Sequence, residues 1–418
     1  MRVAPREVSV ADIAVYHEIH KVGTMFQKAR WYQKLSPRQY DDETCAVFGI
    51  RDQRKAAARR KLFLQAGSVS SVREWETGIV NIVDLMVARV KQELDERGKA
   101  DVTKWFSYMT CDVLGLVAFD ENFGMIRIAR KPGLVEDIET SIILVGLKLE
   151  LPWAWTIVEW LAPLVPAFRR FLGLFERFEQ YADIAVANTK LASESERRTM
   201  FSKMVNEGGQ QLQEYVIKQE AVNIIIAGTD TTATTLTCLV YAVFADNRGE
   251  IKQRSLEELK TCGDQPTCAE LQGKQYLNNV VDETLRLYSP IGGSLPRVPP
   301  SEGAVLGQYY IPADTLVMTQ SSTFHTNPVV FPDPLKFDPD RWQEPTSEMK
   351  QHFMPFGGSS RFCLGQNIAR LEILEAAAKL FKACPDMKLA PSVTTGSMKP
   401  LEFFVNRPKG IRCEIVPK

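Results

Sequence analysis

Histidine is scarce: four among 418 residues argue against a metal site built from several imidazoles. The eight cysteines are scattered, and only Cys262 and Cys268 lie close together, at a spacing that fits no common zinc pattern. A disulfide framework is not expected in a chain this large, which leaves a single cysteine ligand to a prosthetic group open. Neither sign of charge is in excess, with 51 Lys plus Arg against 51 Asp plus Glu, so no global field draws the chain to nucleic acid or anionic lipid. No uncharged apolar run reaches the ~18 residues of a transmembrane helix. The nearest candidate, 142–168, is interrupted by Lys148, Glu150 and Glu159 and by Pro152, Pro163 and Pro166. Its Trp153, Trp155 and Trp160 suit a membrane interface, and equally a core segment or a substrate channel. The first six residues read as strand or loop rather than a targeting segment. Internal repeats and low-complexity linkers are also lacking.

What is present is ordinary globular composition, 45% apolar and 24% charged, read here as one domain over 1–418. From Ala56 to about Ala245 apolar residues recur three and four apart, with amphipathic stretches at 70–96 and 104–118. Glu214–Phe244 is apolar nearly all round after Ala221, which predicts a helix through the interior. It carries Thr229, Thr231, Thr232, Thr234, Thr235 and Thr237, mediocre helix formers that imply tertiary support and a use for hydroxyls inside. After Pro290 short β-rich runs take over, such as Gln308-Tyr-Tyr-Ile-Pro and Thr315-Leu-Val-Met-Thr. Helix returns at 366–382, and 401–416 reads as a hairpin. The fold class is therefore α+β, mainly α.

The strongest signal is Phe356-Gly-Gly-Ser-Ser-Arg-Phe-Cys-Leu-Gly365 leading into a helix. Small residues let backbone approach a flat ligand. A cysteine ahead of a helix N-terminus meets free N–H groups and the positive dipole end, which lower a thiol pKa and favour the metal-ligating thiolate. Arg361 adds positive charge for an acidic group on a cofactor. The plain alternative is a buried cysteine in a glycine turn. This stretch resembles the cysteine-ligand loop of cytochromes P450, Phe-Gly-x-Gly-x-Arg-x-Cys-x-Gly. Phe356, Gly357, Arg361, Cys363 and Gly365 match it, and Ser359 stands where the second glycine is usual.

Three further segments follow the family's order. Glu283-Thr-Leu-Arg286 resembles its Glu-x-x-Arg motif, with both side chains on one helical face, and Asp338-Pro-Asp-Arg341-Trp resembles the segment whose arginine completes a buried Glu–Arg–Arg network. A surface ion pair would be the bland reading of Glu283 and Arg286, but the apolar setting predicts burial. Ala227-Gly228-Thr-Asp230-Thr231-Thr232 resembles the oxygen-activation motif. There Gly228 is expected to leave room beside the helix for O2, and Asp230 with Thr231 to relay protons into a dry site. Arg297 and Arg60 match arginines that hold haem propionates through bidentate pairing. In the family a Trp or His usually stands four residues before the second of these; here it is Ala56, so one propionate contact is expected to be missing. Arg54, Lys55, Arg59, Arg60 and Lys61 form a basic cluster, read either as a solvated face or as a dock for an acidic electron donor.

The resemblance implies a P450 prism with small β-sheets, haem b (iron protoporphyrin IX) ligated by the Cys363 thiolate, and insertion of one oxygen atom from O2 into an apolar small molecule. It further implies NADPH-cytochrome P450 reductase as partner, no nucleic acid, peripheral membrane contact and residence at the endoplasmic reticulum surface, or in the cytoplasm if the start is genuine. The wording around Lys61 and Phe331 resembles fungal P450s of polyketide or mycotoxin pathways. The pocket is expected from 26–48, 147–167, Leu295 and 397–401. A haem-thiolate isomerase or dehydratase is the alternative enzyme, though such enzymes often lose the acid–alcohol pair; a non-catalytic haem-binding protein is the alternative without turnover. Family members carry several dozen further residues before this point, including a first helix and strand. Arg2 to Asp12 resembles the second strand of that sheet, so an exposed edge and weak haem retention are expected.

Overall fold

The computed structural model describes residues 1–34, 41–129, 151–166, 199–202, 212–263, 265–402 and 404–418, with scattered helical positions between 133 and 187. Several helices start where a short polar side chain takes up their free amides. Asp12 caps α1 (Ile13–His20), Asp52 caps α2 (Gln53–Ala66), Ser68 caps α3 (Val69–Arg97) and Asp101 caps α4 (Val102–Phe119). Then come α5 (Pro152–Leu161), α6 (Glu214–Phe244), α7 (Gly249–Lys260), α8 (Gln275–Leu287) and α9 (Gln366–Ala383). The amphipathic stretches expected at 70–96 and 104–118 are α3 and α4.

As its all-round apolarity predicts, α6 runs through the interior, packed on α4, α8 and α9 within one large apolar cluster. By length and composition α6 alone among the described residues could cross a membrane, but 72% of its apolar window is buried inside the protein. Most of its threonines are satisfied locally: Thr229, Thr231, Thr235 and Thr237 each donate to the carbonyl four residues back.

The largest sheet has the order β1 (Arg2–Ala4), β2 (Glu7–Val10), β5 (Leu316–Thr319), β4 (Arg297–Val298), β3 (Gln27–Lys28). The opening residues thus form two strands rather than one. β1 pairs antiparallel with β2, and β2 lies parallel to β5, with Glu7 opposite Leu316 and Thr319 opposite Val10. The expectation that β2 lacks its outer neighbour is corrected, because the two-residue turn at Pro5 and Arg6 lets the chain supply that neighbour itself. The C-terminal expectation is corrected too. Pro400–Glu402 (β6) and Asn406–Pro408 (β7) make the hairpin, while Glu414–Val416 leaves it to pair with Ala100–Asp101 and Lys388–Leu389. Fully buried Ile415, and Glu414 bonded to Lys99 and Ser392, hold that last strand in the separate sheet.

Candidate haem-thiolate site

The loop before α9 is shaped by two left-handed residues. Gly357 has φ +70°, and Ser359 takes φ +56° where a glycine is usual, a strain of about 1 kcal/mol for a residue with a Cβ. Ser359 thus takes the left-handed conformation that a glycine adopts freely. The Cys363 amide donates to Phe356 O at 2.8 Å, closing the loop, and Phe356 packs against the main core. Behind the loop, a Cβ on Gly67 would lie 2.6 Å from Leu364 O, so only glycine lets α2 end there. Gly365 starts α9 without a side-chain cap.

Cys363 is solvent-accessible yet lies deep among protein groups, so its thiol faces an internal recess. Burial pushes this thiol above its usual range, against the downward pull of the Gly365 amide and of Arg60. The helix N-terminus was expected to lower it, and burial outweighs that pull. A bound metal would deprotonate the thiol outright. The cation acting on it is Arg60, which donates to Phe362 O at 2.8 Å and lies 4.8 Å from the Phe362 ring. Arg60 is buried, whereas Arg54, Lys55 and Lys61 are exposed and Arg59 pairs with buried Glu220. The solvated-face reading therefore fails for Arg60.

Arg297 is buried on β4 and donates to the Tyr32 hydroxyl at 2.7 Å. Arg361 is half-buried, with Nη1 fully enclosed and lacking any acceptor, and burial together with Arg297 and Arg60 pulls its guanidinium down to about 10. Among the described residues no carboxylate pairs with Arg60, Arg297 or Arg361. Ala56 is fully buried.

Glu283 and Arg286 are fully buried in a bidentate pair with both contacts at 2.8 Å. Arg341 adds a 3.1 Å contact to the same carboxylate, and Trp342 Nε1 and the Asp338 amide complete its shell. Arg286 further holds the carbonyls of His325, Pro334 and Lys336. His325, which sequence reasoning missed, ties this network to the loop. Its Nδ1 meets Arg286 O, and the Met354 amide donates to its Nε2. A lone histidine in Phe324-His-Thr carries no pattern that would have marked it.

On α6, Ala227 is exposed and Thr231 half-buried, while Asp230 is buried and ion-paired with Arg407 of β7. That partner lies 177 positions away and was not foreseen. At Gly228 a Cβ would sit 3.0 Å from Leu114 of α4, so the glycine also lets the two helices cross closely.

The model of the cytochrome P450 family matches residues 5–414. The chain belongs to this family. It is 34% identical to the cytochrome P450 monooxygenase tazI of Aspergillus terreus, across 99% of this chain and 85% of that protein. Against the cytochrome P450 monooxygenase stcB of Emericella nidulans identity is 32%, across 99% and 80%. Against the cytochrome P450 monooxygenase orf2 of Aspergillus niger it is 31%, across 99% and 84%. The fold is the family's mainly α arrangement, the activity is that of a monooxygenase, and the cofactor is haem with a cysteine thiolate as axial ligand. The residues present fit that group. An inward-facing thiol stands beside arginines that have no protein carboxylate and one orphaned buried Nη, which the two propionates of a haem would satisfy.

Proposed function

We propose that this P450 inserts one oxygen atom from O2 into an apolar small molecule of the polyketide or mycotoxin type, with electrons from NADPH-cytochrome P450 reductase. The observation that carries the reading is Cys363, held inward by the Phe356 carbonyl and the start of α9 beside buried, carboxylate-free arginines. Bound there, haem supplies the redox centre at which O2 is activated. Cys363 would hold the metal, and Arg60, Arg297 and Arg361 the propionates. Thr231 presents its hydroxyl from α6, and Asp230 behind it is an acid through which protons enter from the β6–β7 side, where Arg407 orients it. Glu283, Arg286, Arg341 and His325 fix the loop's position from behind.

The exposed basic residues Arg54, Lys55 and Lys61 suit an acidic reductase surface. Trp153, Ile157, Trp160 and Leu164 recur at helical spacing and are all exposed, which supports peripheral contact with the endoplasmic reticulum membrane. Trp155 of the same segment turns inward instead. Of the residues expected to line the pocket, 35–40, 147–150 and Ala167 lie outside the described residues. The reading is tested by Cys363→Ala: the thiolate-type ferrous–CO band and substrate oxygenation with reductase and NADPH should both vanish. Retention of that band would place the ligand elsewhere.

A further inference from the structure

We propose that Lys28 is a further propionate-binding residue, a cation from the sheet that serves where Ala56 offers no donor. The inference rests on the haem-thiolate reading above. Lys28 ends β3 directly opposite Arg297 on β4, so both side chains stand on one face of the sheet, their Cβ atoms ~5 Å apart. Like charges at that separation repel unless an anion lies between them.

The surroundings of Lys28 are built. The residue is buried, its Nζ donates to Phe48 O at 2.7 Å, and it stands 4.3 Å from the centroids of both Tyr32 and Phe48. Tyr32 in turn accepts from Arg297. The two rings and the carbonyl fix the ammonium on three sides without neutralising it. Burial first, and then Arg297, Arg361 and Arg60, push its pKa well below the lysine range.

Nearby carboxylates are committed elsewhere. Asp42 accepts from the amides of Arg51 and Asp52 and from Gln33, and Glu220 from Arg59 and the Val47 amide. An ammonium has three donors, of which Phe48 O takes one. Keeping an enclosed ammonium charged is expensive, and an anion that this chain does not provide would offset that cost and hold Lys28 in its charged form. Ala56 belongs to the same corner: it lies in the first turn of α2, where Gln53 donates to Phe26 O beside β3 and Arg51, just before the helix, donates to Lys28 O. The lysine thus supplies from the sheet a contact that α2 does not make.

The test measures haem release from holoprotein to excess apomyoglobin, for wild type, Lys28→Met and Lys28→Arg, each loaded with haem and, separately, with haem dimethyl ester. With native haem, Lys28→Met should release about ten- to hundredfold faster than wild type, the range of a charge-assisted hydrogen bond, and Lys28→Arg should stay close to wild type. With the dimethyl ester the difference should disappear, because no carboxylate remains to be held. Equal release with native haem, or an acceleration that persists with the ester, overturns the proposal and leaves Lys28 as packing. Should Lys28→Met fail to fold, the propionate bending bands in the resonance Raman spectrum of Lys28→Arg decide: a shift from wild type supports the contact, and unchanged bands refute it. Wild type lacking the thiolate ferrous–CO band would refute the underlying haem-thiolate reading, a failure distinct from that of Lys28.

Discussion

A single buried imidazole links the ion-pair network to the cysteine loop, and its titration is measurable. Burial above all pulls His325 down to about 3, only partly opposed by its bond to Arg286 O. The unfolded value is near ~6.5. Between those limits the unfolded chain binds a proton that the folded protein refuses, so this contribution to stability is lost as pH falls from about 6.5 towards 3. The slope is at most ~1.4 kcal/mol per pH unit. His325→Gln keeps an amide that can donate and accept but does not titrate. Urea unfolding of both proteins should give a stability gap at pH 7 that narrows by up to about 1.4 kcal/mol for each unit below 6. Taking the difference cancels the opposing trend of Glu220 and Glu375, whose carboxyls burial raises to about 7. A gap constant from pH 7 to 5 would show that His325 accepts its proton in the folded state.

Among the elements, α8 and the segment around Arg341 act on the cysteine loop as one unit. Glu283 is wholly enclosed and receives bonds from two arginines, an indole and an amide. Replacing it by Gln leaves two guanidinium groups facing a neutral amide, at a cost of ~3–5 kcal/mol. Because Arg286 O also holds His325, and His325 holds Met354 at the loop's entrance, the Glu283→Gln protein should show a smaller thiolate fraction in its ferrous–CO spectrum as well as a lower melting temperature. A lower melting temperature with an unchanged spectrum would separate the network from the loop. Glu283, Arg286 and Arg341 were legible because each sits in a short segment with recognisable spacing, as were Cys363 and the course of α6. The parts that were not legible depend on chain segments meeting across the fold. Arg407 reaches Asp230 from a terminal hairpin, Lys28 meets Arg297 through strand register, and Gly228 comes up against Leu114 of α4. Each residue type is compatible locally with several roles, and only the tertiary neighbour selects one. The net rise of the Cys363 thiol is of the same kind, since helix position can be read along the chain and burial cannot.

The molecule as a whole has an uneven interior, and that asymmetry says how it should respond to losing its cofactor. Helices α3, α4, α6, α8 and α9 share one large apolar cluster. The sheet side rests on small separate clusters: Ile19, Phe26 and Val317; Tyr16, Phe324 and Met354; Cys45, Ile50 and Ala56. Lys28 and Arg297 face each other across the sheet, Arg361 bonds to the carbonyl of Arg51, whose side chain holds Lys28 O, and Arg60 donates to the neighbouring Phe362 carbonyl, so four separate stretches of chain contribute. Burying these four basic groups near one another opposes folding, and propionates held among them, as proposed above, would reverse the sign of that contribution. Haem also stabilises by mass action, about 2.7 kcal/mol when free ligand is at a hundred times its Kd. Local stability varies across a structure, and regions with little apolar burial open first. Removal of haem should therefore loosen β3, β4, the segment around Phe48 and the 356–365 loop, while α3, α4 and the C-terminal half of α6 stay protected. Hydrogen exchange followed by mass spectrometry on holoprotein and haem-free protein checks this peptide by peptide. Protection factors near the four cations should drop by at least about tenfold, and those in the helical cluster should change little. A uniform loss across both regions would mean that the cofactor supports the fold globally, through the main apolar core rather than through the charge it brings to the sheet side.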